Sequence, residues 1–391
     1  MAIHPYIADI TSEIRDIRHE IHANPELGFL EVRTAKWIAD YLRGLEIEVR
    51  EGVGRTGVVG TLRGRRGGEG PHIGFRADMD ALPIHEETGA EHSSTKDGVM
   101  HACGHDGHSA MLLGAAKCLA SDTDFAGTIT FIFQPAEELL SGAKAMIDDG
   151  LFDDHHVDRV FSIHNDPKFP LGTMVIGDGA FMAGADHFDL FFQGLSGHAA
   201  RPEECVDPIV LGGQLVTLAQ SYVSRQTRPT DPAVLSFTRF KSGDSYNVIP
   251  ERADLSGTFR TMNPVLSDRV ECFLRDSSSA LSRAAGGSAT LDYRRVCPVL
   301  VNDPEATALA IQSFGDVIEN HKIIRPENPI MGTEDFAYMI QGRSGCLIRL
   351  GANGGSDPIP NLHNDRYDFN DDLLPIGASL WVRIADRLRG R

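Results

Sequence analysis

The stretch His101-Ala102-Cys103-Gly104-His105-Asp106-Gly107-His108 packs three imidazoles, a thiol and a carboxylate into a glycine-punctuated segment ahead of a predicted helix. Nitrogen and sulfur donors so arranged suit borderline transition metals such as Zn, Mn, Co or Ni. The bland alternative is a loop whose histidines hydrogen-bond at the surface, and short metal motifs do arise by chance. A second concentration follows the apolar run 128–133, which leads straight into Gln134-Pro135-Ala136-Glu137-Glu138. Two carboxylates at the carboxyl end of a buried strand stand where ligands bind in open α/β sheets. Adjacent residues point differently, so one can hold a metal while its neighbour takes a proton from an activated water, the division of labour hydrolysis requires. The same pair also reads as solvated acids at a helix start, where the dipole favours them. His164 ends the apolar run 160–163 and is expected at the same sheet edge, although one histidine there is ordinarily a polar cap. His363, in Asn361-Leu362-His363-Asn364, is placed to close the site from a late loop, but its spacing alone is unremarkable.

These residues need a sheet to position them. Ile3, Ile7, Ile10, Ile14, Ile17 and Ile21 recur at three- and four-residue intervals, which predicts an opening amphipathic helix stopped by Asn24-Pro25. Helices are expected near 34–42, 107–120 and 142–149, alternating with strands at 47–50, 58–62, 72–77, 128–133 and 160–164. That rhythm indicates an α/β layer fold with a mixed, mostly parallel sheet. From residue 187 the order becomes strand 187–193, helix 208–224, strands 233–241 and 252–261, helix 265–285 and strand 289–296. This βαββαβ order is the ferredoxin-like split unit, a complete small α+β domain. Helices near 304–320, 334–340 and 372–388, with a strand at 346–350, then resume the α/β style. The expected organisation is one discontinuous domain, 1–183 and 297–391, carrying an insertion at 184–296.

Bulk properties narrow the function. A chain of 391 residues favours two domains. The formal charge of −18 argues against nucleic-acid or anionic-lipid partners, which need a basic footprint. No run approaches the roughly 20 apolar residues of a membrane helix, and the N-terminus lacks a signal-peptide pattern, so a cytoplasmic location is the default expectation. Six cysteines without paired spacing read as reduced thiols, and only Cys103 keeps chemically interesting company.

Taken together, the motifs resemble the aminopeptidase-like amidohydrolase branch of the co-catalytic dinuclear metallopeptidases, which includes hippurate hydrolase, N-acyl-amino-acid deacylases and plant indoleacetyl-amino-acid hydrolases. The matching stretches are Arg76-Ala77-Asp78-Met79-Asp80-Ala81-Leu82, Met100-His101-Ala102-Cys103-Gly104-His105-Asp106, Gln134-Pro135-Ala136-Glu137-Glu138, Ser196-Gly197-His198-Ala199-Ala200, Met331-Gly332-Thr333-Glu334-Asp335-Phe336 and Leu362-His363-Asn364. The resemblance implies two divalent ions bridged by Cys103, with His105, Glu138, His164 and His363 completing their coordination. It implies that Glu137 activates the water and then protonates the leaving amine, with Asp78 and Asp106 fixing ligand geometry from behind. Glu334 faces the site in an unassigned role. It further implies that the inserted domain is a lid that pairs two subunits into a homodimer, that His198 reaches the partner's site to stabilise the oxyanion, and that Asn247 and Arg260 hold the substrate's α-carboxylate.

Two positions depart from the family pattern. Asn165-Asp166-Pro167 follows His164 where an aromatic residue usually precedes proline, and Pro202-Glu203 replaces a usual Pro-His pair. The expected activity is hydrolysis of N-acyl or N-aroyl amino acids to a carboxylic acid and a free amino acid. A dipeptidase or carboxypeptidase with the same metals is the near rival, and a non-catalytic metal- or ligand-binding protein the distant one. The acyl group, the amino-acid side chain and the physiological metal are not legible at this level.

Overall fold

The computed structural model describes residues 2–66, 69–154, 156–319, 322–328, 330–355 and 360–390. The chain separates into two compact units. One comprises Met1–Phe181, Val301–Glu327 and Glu334–Arg391, and the other Met182–Leu300 and Asn328–Thr333.

The first unit is built on an eight-stranded sheet in the order Glu48–Val53, Gly57–Arg63, Thr128–Gln134, His72–Asp78, Arg159–Pro170, Ser344–Asn353, Thr173–Val175, Lys322–Ile324. The four strands from Thr128–Gln134 to Ser344–Asn353 run parallel, as the alternating strand and helix pattern predicts, and antiparallel pairs flank them. These central strands are almost continuously buried, which fits a parallel sheet covered on both faces. The helix His105–Ala120 crosses the sheet with fourteen of its sixteen residues buried, so its N-terminus is held as firmly as the strands. Phe75 packs on Trp381 with ring centroids 4.8 Å apart and joins that layer to the C-terminal helix Leu374–Leu388. Burying each such ring contributes on the order of 2 kcal/mol.

Several sequence expectations need correction. His164 does not end its strand, which continues to Pro170 because Ser344–Asn353 pairs alongside it past the apolar run, matching Arg349 with His164 and Leu350 with Asn165. The charge this puts inside is balanced, since Asp166 lies 3.0 Å from Arg349. The opening helix is two helices, Pro5–Asp9 and Thr11–His22, and Thr11 Oγ1 at the junction donates to the Ile7 carbonyl. The expected helix at 334–340 is a single tight turn, Asp335–Tyr338, capped by the Glu334 side chain. The helix expected to reach Asn320 stops at Gly315, and Asn320 itself lies outside the described residues.

The second unit follows the order strand Gly184–Gln193, helix Pro208–Gln226, strands Ala233–Lys241 and Arg252–Thr261, helix Pro264–Ala284, strand Ser288–Cys297. Its four strands form one antiparallel sheet, with Gly184–Gln193 and Arg252–Thr261 central. Phe188, Leu190, Phe192 and Phe259 pack with Leu215 and Val270 of the two helices as a separate core. Among the described residues, no helix is long and apolar enough to cross a membrane.

Candidate metal centre

Four backbone segments of the first unit deliver the candidate donors, and three of them use left-handed conformations. Gly104, between Cys103 and His105, caps the central helix at φ 88°, and a Cβ there would stand 2.8 Å from Asn165 Oδ1, so glycine is required twice over. Ala136 (φ 49°) and Leu140 (φ 51°) bracket Glu137 and Glu138, and His363 itself sits at φ 65°. Non-glycine residues in this region store strain and concentrate at functional sites. The backbone N–H of His363 donates to the Ala102 carbonyl at 2.8 Å, tying the late loop to the cysteine segment.

The donors converge. Cys103 Sγ is 3.6 Å from His164 Nε2, Glu138 Oε1 is 3.3 Å from His363 Nε2, and His105 Nε2 is 4.0 Å from Glu138 Oε1. Cys103, His105 and His164 form one group whose ligand atoms all lie within 4.8 Å of one another, and Cys103, Glu138 and His363 form another. Cys103 belongs to both.

Electrostatics separate the two neighbouring acids. Burial, reinforced by Glu334, Glu138 and Asp335, holds the Glu137 carboxyl well above the usual range. Burial acts the same way on Glu138, but His363 and His105 prevail and hold it below. Neighbouring carboxyls pushed apart in this way are suited to different tasks, one exchanging protons and one staying anionic. Burial would also depress His105, yet Asp78 and Cys103 outweigh it and raise that imidazole well above its ordinary value. His164 is held well below by burial and by His108, which leaves its nitrogen free of a second proton. Burial, with Glu138, pushes the Cys103 thiol up to about 12. A cation would reverse that balance, because the thiolate is the ligating form.

A metal fits this pocket on two observations. The buried atom His105 Nε2 has no hydrogen-bond partner, and unsatisfied buried polar atoms are costly unless something binds them. The donor set, one sulfur with three imidazoles and a carboxylate, also matches borderline divalent ions.

Behind the donors lies a ring of groups that sequence reasoning mostly passed over. His105 Nδ1 is 3.1 Å from Asp80 Oδ1, and Asp80 Oδ2 accepts from the Glu138 N–H at 3.0 Å, so one carboxylate orients two candidate donors. The signal was present, since Asp78 and Asp80 alternate at the end of a strand. Asp78 binds His108 Nδ1 at 2.6 Å and Arg76 Nη1 at 2.8 Å, and lies 3.7 Å from His105 Nε2. Asp106 is directed elsewhere, with its carboxylate taken up by His22 Nδ1 at 2.8 Å and Arg18 Nη1 at 3.4 Å.

The description Peptidase family M20/M25/M40 matches residues 74–387. The chain belongs to the M20 peptidase family. It is 38% identical to a hippurate hydrolase of Campylobacter jejuni, covering 98% of this chain and 99% of the relative. It is also 38% identical to thermostable carboxypeptidase 2 of Saccharolobus solfataricus, covering 95% and 94% of the two chains. Among solved structures, a Bacillus subtilis protein described as a dinuclear metal-binding peptidase of the M20 family superposes with a TM-score of 0.83 at 30% identity, covering 98% and 99%. As an M20 member the chain is a metal-dependent hydrolase of mixed α/β fold.

The remaining predicted residues of this M20 chain are carried on the second unit. His198 is exposed on the short strand Gly197–His198, paired with Val248–Ile249, and its Nδ1 accepts from the Ala200 N–H at 3.0 Å. Asn247 uses its backbone carbonyl to accept from the Ala199 N–H at 3.0 Å, which brings it beside that strand. Arg260 Nη1 donates to Thr333 Oγ1 at 3.0 Å and to the Met331 carbonyl at 3.2 Å.

Proposed function

We propose that this M20 hydrolase cleaves the amide bond of N-acyl or N-aroyl amino acids, releasing a carboxylic acid and a free amino acid. The observation that carries the reading is the buried Glu137 carboxyl beside a sulfur, imidazole and carboxylate set in which His105 Nε2 lacks a hydrogen-bond partner. In this reading Cys103, His105, His164, Glu138 and His363 would hold two divalent ions. Ions of the Zn, Mn, Co or Ni type held there would polarise the amide carbonyl and acidify the attacking water. Glu137 then takes the water's proton and delivers it to the leaving amine. Asp80 holds the His105 imidazole in orientation from behind, and Asp78 holds His108 beside it.

His198, Asn247 and Arg260 extend the proposal to the insertion at 184–296, read as a lid through which two subunits pair. Because His198 Nδ1 accepts from Ala200, the neutral ring carries its proton on Nε2, a donor suited to an oxyanion. Arg260 offers a planar fork to an α-carboxylate.

The relationship to a carboxypeptidase favours a second reading, removal of C-terminal residues from short peptides by the same centre. Both are tested on metal-reconstituted protein with a panel of N-acyl amino acids and matched unblocked dipeptides. The first reading expects the higher kcat/KM on the acylated compounds, and a clear preference for a free amino terminus overturns it. Glu137→Ala is expected to retain metal stoichiometry while losing at least about 100-fold in kcat, whereas wild-type turnover in that variant removes Glu137 from the mechanism.

A further inference from the structure

Arg76 occupies the strand His72–Asp78 between Ile132 and Ser162 of the neighbouring strands, and its side chain is wholly buried. Its guanidinium serves two directions. Nη1 donates to Asp78 Oδ2 at 2.8 Å, while Nη2 donates to Glu334 Oε1 at 3.0 Å and more weakly to Asp335 Oδ1 at 3.4 Å. Nε donates to Gln134 Oε1 at 2.8 Å, and the amide of Gln134 donates in turn to Asp335 Oδ1 at 2.7 Å. Asp335 Oδ2 accepts from the Ala143 N–H, beyond the loop that carries the two acids.

The placement of these partners matters more than their number. Asp78 Oδ2 stands 3.7 Å from the unpartnered Nε2 of His105, close enough to become a further donor to anything that atom binds, and Arg76 engages that same oxygen. Gln134 immediately precedes Pro135-Ala136-Glu137, so fixing its side chain fixes the start of a loop whose next turn is already left-handed at Ala136. We infer that Arg76 is the positioning residue joining the two halves of the centre, restraining the Asp78 carboxylate from coordination and anchoring, through Gln134, the backbone that presents Glu137.

Lysine cannot substitute fully, because a single ammonium lacks the planar fork that reaches Asp78, Gln134 and Glu334 at once. The inference rests on the assignment of Glu137 as base and of His105 as ligand. It is tested in the full chain loaded with Co(II), comparing wild type, Arg76→Lys, Arg76→Lys with Asp78→Asn, Gln134→Leu and Glu137→Ala. The readouts are Co(II) titration of the metal-free protein, visible absorption of the bound ion, and kcat and KM on an N-acyl amino acid.

Arg76→Lys is expected to bind Co(II) with an altered absorption spectrum and a kcat reduced at least about tenfold, with KM changed by less than about threefold. Adding Asp78→Asn should return the spectrum to the wild-type form, since the intruding carboxylate is gone. Gln134→Leu should lower kcat by about tenfold and leave the spectrum unchanged. A wild-type spectrum and kcat in Arg76→Lys overturn the inference. Should Arg76→Lys fail to fold, Gln134→Leu decides, and wild-type kcat there overturns it equally. If Glu137→Ala is as active as wild type, the underlying mechanism has failed; if only Arg76→Lys and Gln134→Leu match wild type, the mechanism stands and this inference alone falls.

Discussion

Glu137 and Glu138 illustrate how one residue of spacing separates two chemistries. Their side chains leave the chain in different directions, so His363 and His105 prevail at Glu138, while at Glu137 burial and other acids outweigh the opposing pull of His105. What keeps Glu138 and His105 in register is Asp80, bound to the imidazole of one and the backbone N–H of the other. Groups that orient metal ligands in this way are typically worth 10- to 100-fold in affinity, so Asp80→Ala should weaken metal binding by about that factor. Competition titration against a chelator checks it, and an unchanged affinity would remove Asp80 from the centre. The donor types were legible in the sequence because sulfur, imidazole and carboxylate announce themselves. The role of Asp80 was not, because it depends on where the helix His105–Ala120 settles against the sheet edge, which no local spacing encodes. Asp106 was misleading for the converse reason: it neighbours His105 in sequence, yet the helical turn sends its carboxylate to Arg18 and His22.

At the scale of elements, strands were read well wherever apolar runs and sheet pairing coincide, as in Thr128–Gln134 and Ala233–Lys241. They were misjudged where pairing outlasts the apolar pattern. Arg159–Pro170 continues through Asn165 and Asp166 because a neighbour supplies backbone partners and Arg349 supplies the countercharge, neither visible from composition. Left-handed positions are the other feature that only structure exposes. Gly104 was noted as punctuation, whereas its φ of 88° and the 2.8 Å approach of Asn165 make it the joint between the cysteine segment and the central helix. Gly104→Ala should therefore cost about 1–3 kcal/mol of stability and displace Cys103 from His105. Denaturant unfolding measures the first and Co(II) titration the second, and a variant equal to wild type in both would show that the joint tolerates a side chain.

For the whole molecule, the change of rhythm near residue 184 was visible because a βαββαβ series departs from the preceding alternation of strand and helix. The proposed pairing of subunits through that segment predicts that mixing inactive His198→Ala with inactive Glu137→Ala restores activity. Inactive hybrids, once their formation is proven, would count against a shared site. Long-range charge networks leave no such trace in the sequence. The helix Thr11–His22 brings His22 to Asp106, 84 residues away, and to Glu86, while Arg18 reaches both Asp106 and Asp368. Burial opposes a charge on His22, but Asp106 and Glu86 prevail and raise its pKa from 6.5 to about 9. A histidine whose folded pKa exceeds its unfolded value adds stability fully present below pH 6.5 and lost as pH rises through about 9. A rise of that size corresponds to on the order of 3 kcal/mol. Asp106 contributes oppositely, because His22 and Arg18 overcome its burial and depress its pKa, so its share is lost only in acid. With a formal charge of −18, alkaline pH also adds general repulsion, but that term is common to wild type and variant. The difference between wild type and His22→Gln therefore isolates the network. Denaturant unfolding of the transition that carries it, at pH 6 and pH 9, should show wild type losing about 3 kcal/mol more than the variant, and equal losses would mean that folding leaves the His22 pKa unshifted.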